Sequence, residues 1–296
     1  MSAGPDGRGI STVLDVALCL LLVSAAVATL ALPTGDPAGR SDRPDAAATA
    51  GALDTGTTAV SYELSTGAVA GEAGGTPTSG ETERVAHGTY TELLAEAAVE
   101  NATLDGRRLS NASTGFERRV GAAIGNATDA TGARTQVRAI WVPYPGAPTM
   151  GVATAGETPP PRATVTAATT TVPSGFPRVR QRAHRAARRD GYAGVARVLA
   201  AATVTGWFPP SEVRLALAGD HPVDALLERR YQRTAAALGT SVDRSVAEGA
   251  PRQANTRLEP LLAERFERDL RDRYDAPVAA ANAVRVGEVR VVVQTW

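Results

Sequence analysis

The sequence contains no lysine, because all 31 of its basic residues are arginine. A phosphate-binding P-loop needs its lysine and Schiff-base chemistry needs a lysine amine, so both are excluded. One cysteine rules out an internal disulfide and a cysteine-rich zinc site. The three histidines, His87, His184 and His221, lie in separate segments without ligand spacing. We therefore predict no metal site and no cofactor.

The formal net charge is +0, but the charges are unevenly distributed. Residues 33–105 carry three arginines and twelve acids, whereas residues 106–205 carry fourteen arginines and four acids. Half of that second set of arginines forms what we call the arginine run: Arg178, Arg180, Arg182, Arg185, Arg188, Arg189 and Arg197. Apart from Tyr192 it lacks interleaved aromatic residues, so we expect no nucleic-acid partner. A solvated face is one outcome, and pairing with the acids of residues 33–105, in the same chain or in a neighbouring subunit, is the other.

Residues 10–32 form an apolar stretch whose one charge is Asp15. A bilayer core needs about 20 apolar residues in helical form, and Pro33 ends the run. The segment lacks the polar face that a helix at a protein surface would show. This composition predicts a membrane-inserted helix, and membrane lipid is its expected partner.

Two outcomes are open for this segment. It is either a cleaved signal peptide, with Ala26-Val27-Ala28 as a small-x-small cleavage site, or a retained single-pass anchor. Arg8 lies on its N-terminal side, which favours a cytoplasmic N-terminus and an extracellular C-terminal domain. An ionisable residue inside a membrane segment, here Asp15, is a candidate for function.

The residues around this stretch resemble a known export signal. Arg8-Gly9, followed by Ile-Ser-Thr-Val-Leu and then Asp15, is similar to the prepilin-type signals of Tad-type minor pilins. The whole chain also resembles membrane-anchored proteins that haloarchaea encode beside type IV pilus genes. The resemblance implies processing after Gly9 and pairing of Asp15 with the new N-terminal amine of a partner subunit. A plain anchor with a tolerated aspartate is the alternative.

Three of the five asparagines stand in N-x-Ser/Thr sequons: Asn101, Asn111 and Asn126. Such sequons accept N-linked glycans on exposed loops outside the cytoplasm. Their clustering supports an extracellular position for this part of the chain.

The rest of the chain predicts an α+β fold. Residues 1–9 are the leader, 33–56 a flexible linker rich in Gly, Ala, Asp, Thr and Pro, and 57–296 one mixed α+β domain whose sheet draws on both ends of the chain. Alternation predicts strands at 57–64, 135–144, 163–172 and 284–295. Apolar stripes predict helices at 83–100, 114–124, 178–202, 223–238 and 256–275, and a short one capped by Ser211. Trp141, Trp207 and Phe208 are expected in the core.

These observations favour a non-enzymatic, membrane-anchored surface protein, a pilin-like or accessory component of a type IV pilus-type assembly. Its expected partners are other pilus or surface-assembly subunits, and no small-molecule substrate is identified. Two alternatives stay open for the ectodomain: an enzyme that uses carboxylates, which leave faint sequence traces, and a module that binds anionic glycans through the arginine run.

Overall fold

The computed structural model describes residues 45–65, 82–129, 132–219 and 221–296. The strands in these ranges are β1 Thr57–Glu63, β2 Glu83–Thr89, β3 Thr103–Leu104, β4 Arg107–Arg108, β5 Thr135–Trp141, β6 Thr149–Gly156, β7 Thr166–Pro173 and β8 Glu288–Thr295. The helices are α1 Ala46–Thr55, α2 Tyr90–Glu100, α3 Thr114–Asp129, α4 Arg180–Trp207, α5 Pro210–Leu217, α6 Val223–Leu238, α7 Asp243–Ala247, α8 Pro251–Arg273 and α9 Pro277–Asn282. In this part of the chain, no helix combines the length and the apolar character needed to cross a bilayer.

The larger sheet is antiparallel and has the strand order β4-β3-β6-β5-β8-β7. β8, the last strand in the chain, lies between β5 and β7. β5 shows why these segments form strands, since buried Val137, Ala139 and Trp141 alternate with Arg138 and Ile140 on the other face. The mixed α+β class is confirmed for residues 45–296.

Helices α1, α2 and α3 pack against the buried face of this sheet. The start of α2 is fixed by a capping box, in which Thr89 and Glu92 each bond the other's backbone N–H. Gly151 in β6 lets α2 approach closely, because a Cβ there would lie 2.0 Å from the carbonyl oxygen of Ala98. The contact is therefore backbone against backbone.

The opposite face of the sheet carries the alternate residues, which are exposed or half-exposed. Ile140 lies beside Val152 on one neighbouring strand and beside Arg290 on the other. Arg138 occupies the next position of β5 on this face, beside Val292. The face is thus a mixed aliphatic and cationic surface.

Two of the C-terminal helices, α4 and α8, contact the end of β5 and the residues just after it. Trp141 makes an edge contact with Trp207 of α4, with ring centroids 6.3 Å apart, and all of Trp141, Trp207 and Phe208 are buried as expected. α4 packs against α8 and α9. It bends at Gly191, whose φ of 62° lies in the left-handed region that glycine tolerates.

A buried hydrogen-bond chain joins three of these helices. The Tyr231 hydroxyl of α6 donates to Asn255 Oδ1 of α8 over 2.9 Å, and Asn255 Nδ2 donates to the Phe208 carbonyl over 2.8 Å. The Phe208 and Tyr231 rings stack at 14°. Because the Tyr231 hydroxyl, the Asn255 amide and the Phe208 carbonyl all have partners, these groups can be buried without water.

The structure corrects three predicted boundaries. The folded domain begins at Asp45 and not at residue 57, since Asp45 caps α1 and Leu53 is buried; residues 33–44 lie outside the described residues. Residues 83–89 are strand β2 and not helix, because they pair with β1 from Thr57 to Glu63. The N-cap of α5 is Pro209 rather than Ser211.

Candidate functional site

The predicted N-terminal site, Arg8, Gly9 and Asp15, lies outside the described residues, as does the apolar stretch 10–32. The signal and its processing therefore stay predictions. Within the described ranges, no group of histidine, cysteine, aspartate and glutamate side chains is arranged to hold a metal ion.

The three sequons differ sharply in accessibility. Asn111 lies in an irregular segment and is exposed, and Asn126 is exposed on α3. Asn101 is only 3% exposed, and its amide donates to Glu117 Oε2 over 2.8 Å and to the Val152 carbonyl over 3.2 Å. The fold leaves no room for a glycan on Asn101, so that prediction is corrected and the other two remain.

All seven members of the arginine run are exposed. Arg180 lies 3.7 Å from Glu288 and Arg197 lies 2.8 Å from Asp190. The other five have no ion pair with any described acid. Arg182, Arg185 and Arg189 form one stripe on α4, because their spacing of three and four residues matches the helical period.

Two described acids of residues 33–105 pair with arginines outside the arginine run. Glu100 pairs with Arg230 of α6, and Asp105 pairs with Arg265 of α8. The expected pairing of these acids with the arginine run does not occur among the described residues. These two acids are instead held by arginines of the C-terminal helices α6 and α8.

A cavity of about 280 Å³ lies between β1, β2, α2, the start of α3 and α6, and we call it the Glu96 pocket. Its polar wall consists of Arg84, Glu96, Glu100, Ser110, Ser113 and Arg230. Its apolar wall consists of Tyr62, Leu64, Phe116, Val223, Leu226 and Leu227. The two sides give the pocket the apolar lining and the few convergent polar groups that are typical of ligand sites.

Glu96 and Glu100 are one helical turn apart on the same side of α2. The Glu100 carboxylate accepts two hydrogen bonds from Arg230 Nη1, at 3.3 and 3.4 Å. Glu96 has no such partner, and loss of water around its carboxyl through partial burial, followed by the charge of Glu100, raises the pKa of that carboxyl. Burial followed by the same two carboxylates also raises the pKa of Tyr62.

Arg230 lines the pocket and is almost completely buried. It is only 8% exposed, and its guanidinium lies 5.8 Å from the centroid of the Phe208 ring. A buried guanidinium held by one carboxylate and one aromatic face is a rigid donor, because its side chain has little freedom left to lose. The pocket therefore contains a paired guanidinium and carboxylate that hold each other in place.

Two polar atoms of this wall have no hydrogen-bond partner, Ser113 Oγ and Arg230 Nε. Both residues are more than nine-tenths buried. The Ser113 backbone carbonyl accepts from Glu117 N in the first turn of α3, whereas its hydroxyl has no hydrogen-bond partner. Buried polar atoms are nearly always paired, so two unpaired ones on residues of the same pocket are unusual.

Both carboxylates come from one turn of α2, so a single ligand in the pocket can donate hydrogen bonds to both of them. The acidic face of α2 was visible in the sequence, but Ser113 and Arg230 were not singled out. Arg230 is 130 residues from Glu100, and no local pattern signals a contact at that separation.

No curated protein and no solved structure matches the chain. One family model matches residues 14–296, which include most of the apolar stretch and every described residue. Because that match covers far more than half of the 296 residues, the chain belongs to a family of unknown function, DUF7284.

Proposed function

We propose that this chain is a non-enzymatic surface protein, held in the cell membrane by residues 10–32 and exposing residues 45–296 outside the cell. The observation that carries the proposal is an uncharged run from Val16 to Leu32, placed just ahead of a folded domain. One family model spans both the run and the domain. The exposed sequons Asn111 and Asn126 are consistent with the outward orientation.

The more specific form of the proposal is a pilin-like or accessory component of a type IV pilus-type assembly. It is supported by Arg8 and Gly9 directly ahead of the apolar stretch and by Asp15 within it. A carboxylate in an apolar environment costs several kcal/mol unless it is neutralised, about 2.5–3.5 at the bilayer centre. A partner's terminal amine would supply that neutralisation.

Mass spectrometry of the protein extracted from membranes tests the proposal. A mature chain that begins at Ile10 is expected. A chain that keeps Met1, or one that begins after Ala28, contradicts the pilin-like form. Gly9→Leu should block processing, and Gly7→Leu is the matched control that should leave it unchanged.

A second candidate function is capture of anionic glycans by the arginine run. It is favoured by the five exposed arginines that no described acid pairs. Retention on a sulfated polysaccharide column should weaken steeply as salt rises, because such contacts release counterions and are screened. Replacing Arg182, Arg185 and Arg189 by glutamine should reduce retention. The same change at Arg252 and Arg257, exposed arginines of α8, is the control. Retention that does not depend on salt refutes this function.

A further inference from the structure

The Glu96 pocket holds two buried polar atoms that the protein leaves unpaired, and both require the same kind of partner. Ser113 is 7% exposed and Arg230 is 8% exposed. Their free atoms, Ser113 Oγ and Arg230 Nε, belong to side chains that line the cavity wall. A guanidinium nitrogen can only donate, and a serine hydroxyl can donate or accept. A ligand oxygen satisfies both atoms.

The formal charges of the pocket cancel. Glu96 and Glu100 supply two carboxylates, and Arg84 and Arg230 supply two guanidinium groups. An anionic ligand would gain from the arginines and lose to the glutamates, and a cationic ligand the reverse. The functional group that donates to a carboxylate and accepts from a guanidinium is the hydroxyl. Several hydroxyls on one molecule match this wall best.

The other lining residues are mostly apolar and limit the shape of the ligand. Leu226 and Leu227 of α6 line the pocket together with the Tyr62 ring, which packs on Phe116 with centroids 4.8 Å apart. A ligand that contacts these residues needs a C–H face. The cavity has a volume of about 280 Å³, just below the ~300 Å³ of the smallest typical ligand pockets. A single ring fits this space.

We propose that the Glu96 pocket binds one neutral pyranose ring. Its C–H face lies on Leu226, Leu227 and Tyr62. Its hydroxyls donate to the Glu96 and Glu100 carboxylates, and a ring or hydroxyl oxygen accepts from Arg230 Nε and pairs with Ser113 Oγ. No bond is made or broken, and the site is a recognition site. The inference does not depend on the N-terminal signal or on the arginine run.

The test is saturation-transfer NMR on the full chain in a zwitterionic detergent, because alkyl glycoside detergents would compete for the pocket. The probes are free glucose, galactose, mannose and N-acetylglucosamine, with glucuronate as the charged comparison. Transfer to at least one neutral sugar, and weaker transfer to glucuronate, is expected. Absence of transfer to all four neutral sugars overturns the proposal, as does stronger binding of glucuronate.

Ser113→Ala separates a ligand-binding hydroxyl from a structural one. Affinity should fall by about two- to tenfold, the equivalent of one hydrogen bond. The melting temperature should stay equal or rise, because the variant removes a buried hydroxyl without a partner. Ser113 is also the third residue of the Asn111 sequon, so Asn111→Gln is the matched control: it removes the sequon, keeps the hydroxyl and should bind like the wild type.

A second variant keeps the test decisive if Ser113→Ala does not fold. Glu96 is exposed at the rim and has no protein partner, so Glu96→Ala should leave the fold intact. It removes two acceptors from the proposed site and should weaken binding of the neutral sugar severalfold. Binding that is unchanged in Glu96→Ala and in Ser113→Ala places the sugar elsewhere and overturns the proposal.

Discussion

Substitution of Gly151 by alanine measures how closely α2 lies on the sheet. The added Cβ would lie 2.0 Å from the Ala98 carbonyl oxygen and 2.9 Å from its carbon. Carbon and oxygen atoms that are not bonded approach to about 3.3 Å. The helix and the strand must therefore separate by more than about 1 Å, and no rotamer change can relieve a clash with a backbone atom.

The expected cost follows from the general cost of overpacking. Extra methyl groups in a packed core destabilise by about 1–3 kcal/mol, and the backbone clash places Gly151→Ala at the upper end, near 3 kcal/mol. For a domain of this size, about 1 kcal/mol corresponds to a shift of about 2–4 °C in melting temperature. We expect Gly151→Ala to melt roughly 6–12 °C below the wild type.

Gly125→Ala is the matched control, because the same atom is added in open space. Gly125 lies inside α3, and no atom of the surrounding structure lies within 4 Å of the place that its added methyl group would take. Alanine is preferred over glycine in a helix interior by roughly 0.5–1 kcal/mol, so this variant should melt higher than the wild type. Thermal unfolding of the full chain, followed by circular dichroism, measures both. Equal melting temperatures for Gly151→Ala and the wild type refute the close packing of α2 on β6.

Three further predictions concern buried and titrating groups. Asn255→Leu leaves the Tyr231 hydroxyl and the Phe208 carbonyl buried without partners and should destabilise the fold by about 2–5 kcal/mol in chemical unfolding, more than Tyr231→Phe does. The pKa of Glu96 is raised in the folded state, so the folded protein is most stable with this carboxyl protonated, which holds below its ordinary pKa of 4.5. That contribution to stability is lost as the pH rises through the higher pKa of the folded state. Glu96→Gln should therefore match the wild type in melting temperature at acid pH and exceed it at neutral pH. Glycopeptide mass spectrometry of the protein from its natural host should find a glycan at Asn111 and none at Asn101, and a glycan on Asn101 would contradict its burial.

Strands with strict alternation of large residues were predictable from the sequence. β5 and β8 are of this kind, and their observed bounds lie within the predicted ranges. β6 was missed because its buried positions, Gly151, Ala153 and Ala155, are too small to give a hydrophobic signal. α1 was missed for a similar reason, since its Ala, Thr and Gly residues resemble a linker until Leu53 is seen to be buried. Cores built from small side chains leave weak periodicity.

The candidate site shows a different limit. The glutamate face of α2 is a local pattern, and the sequence indicates it. The pocket exists because α6 brings Arg230 and Leu227 to that face, and because β1 places Tyr62 beside it. The contact of Arg230 with Glu100 joins residues 130 positions apart. A single sequence carries no signal for such contacts, since many other acidic residues of the chain could equally well pair with an arginine such as Arg230.

The position of β8 between two other strands of the larger sheet has a consequence for folding. β8 follows every other described element in the chain, yet β5 and β7 hydrogen-bond to it on either side and do not pair with each other. The larger sheet cannot close while its last strand is still inside the ribosome. Sheets that depend on such distant pairing form slowly, because the chain between the paired strands must first be brought into place. The order of strands thus makes the joining of β5 to β7 through β8 a step that follows synthesis of the whole domain.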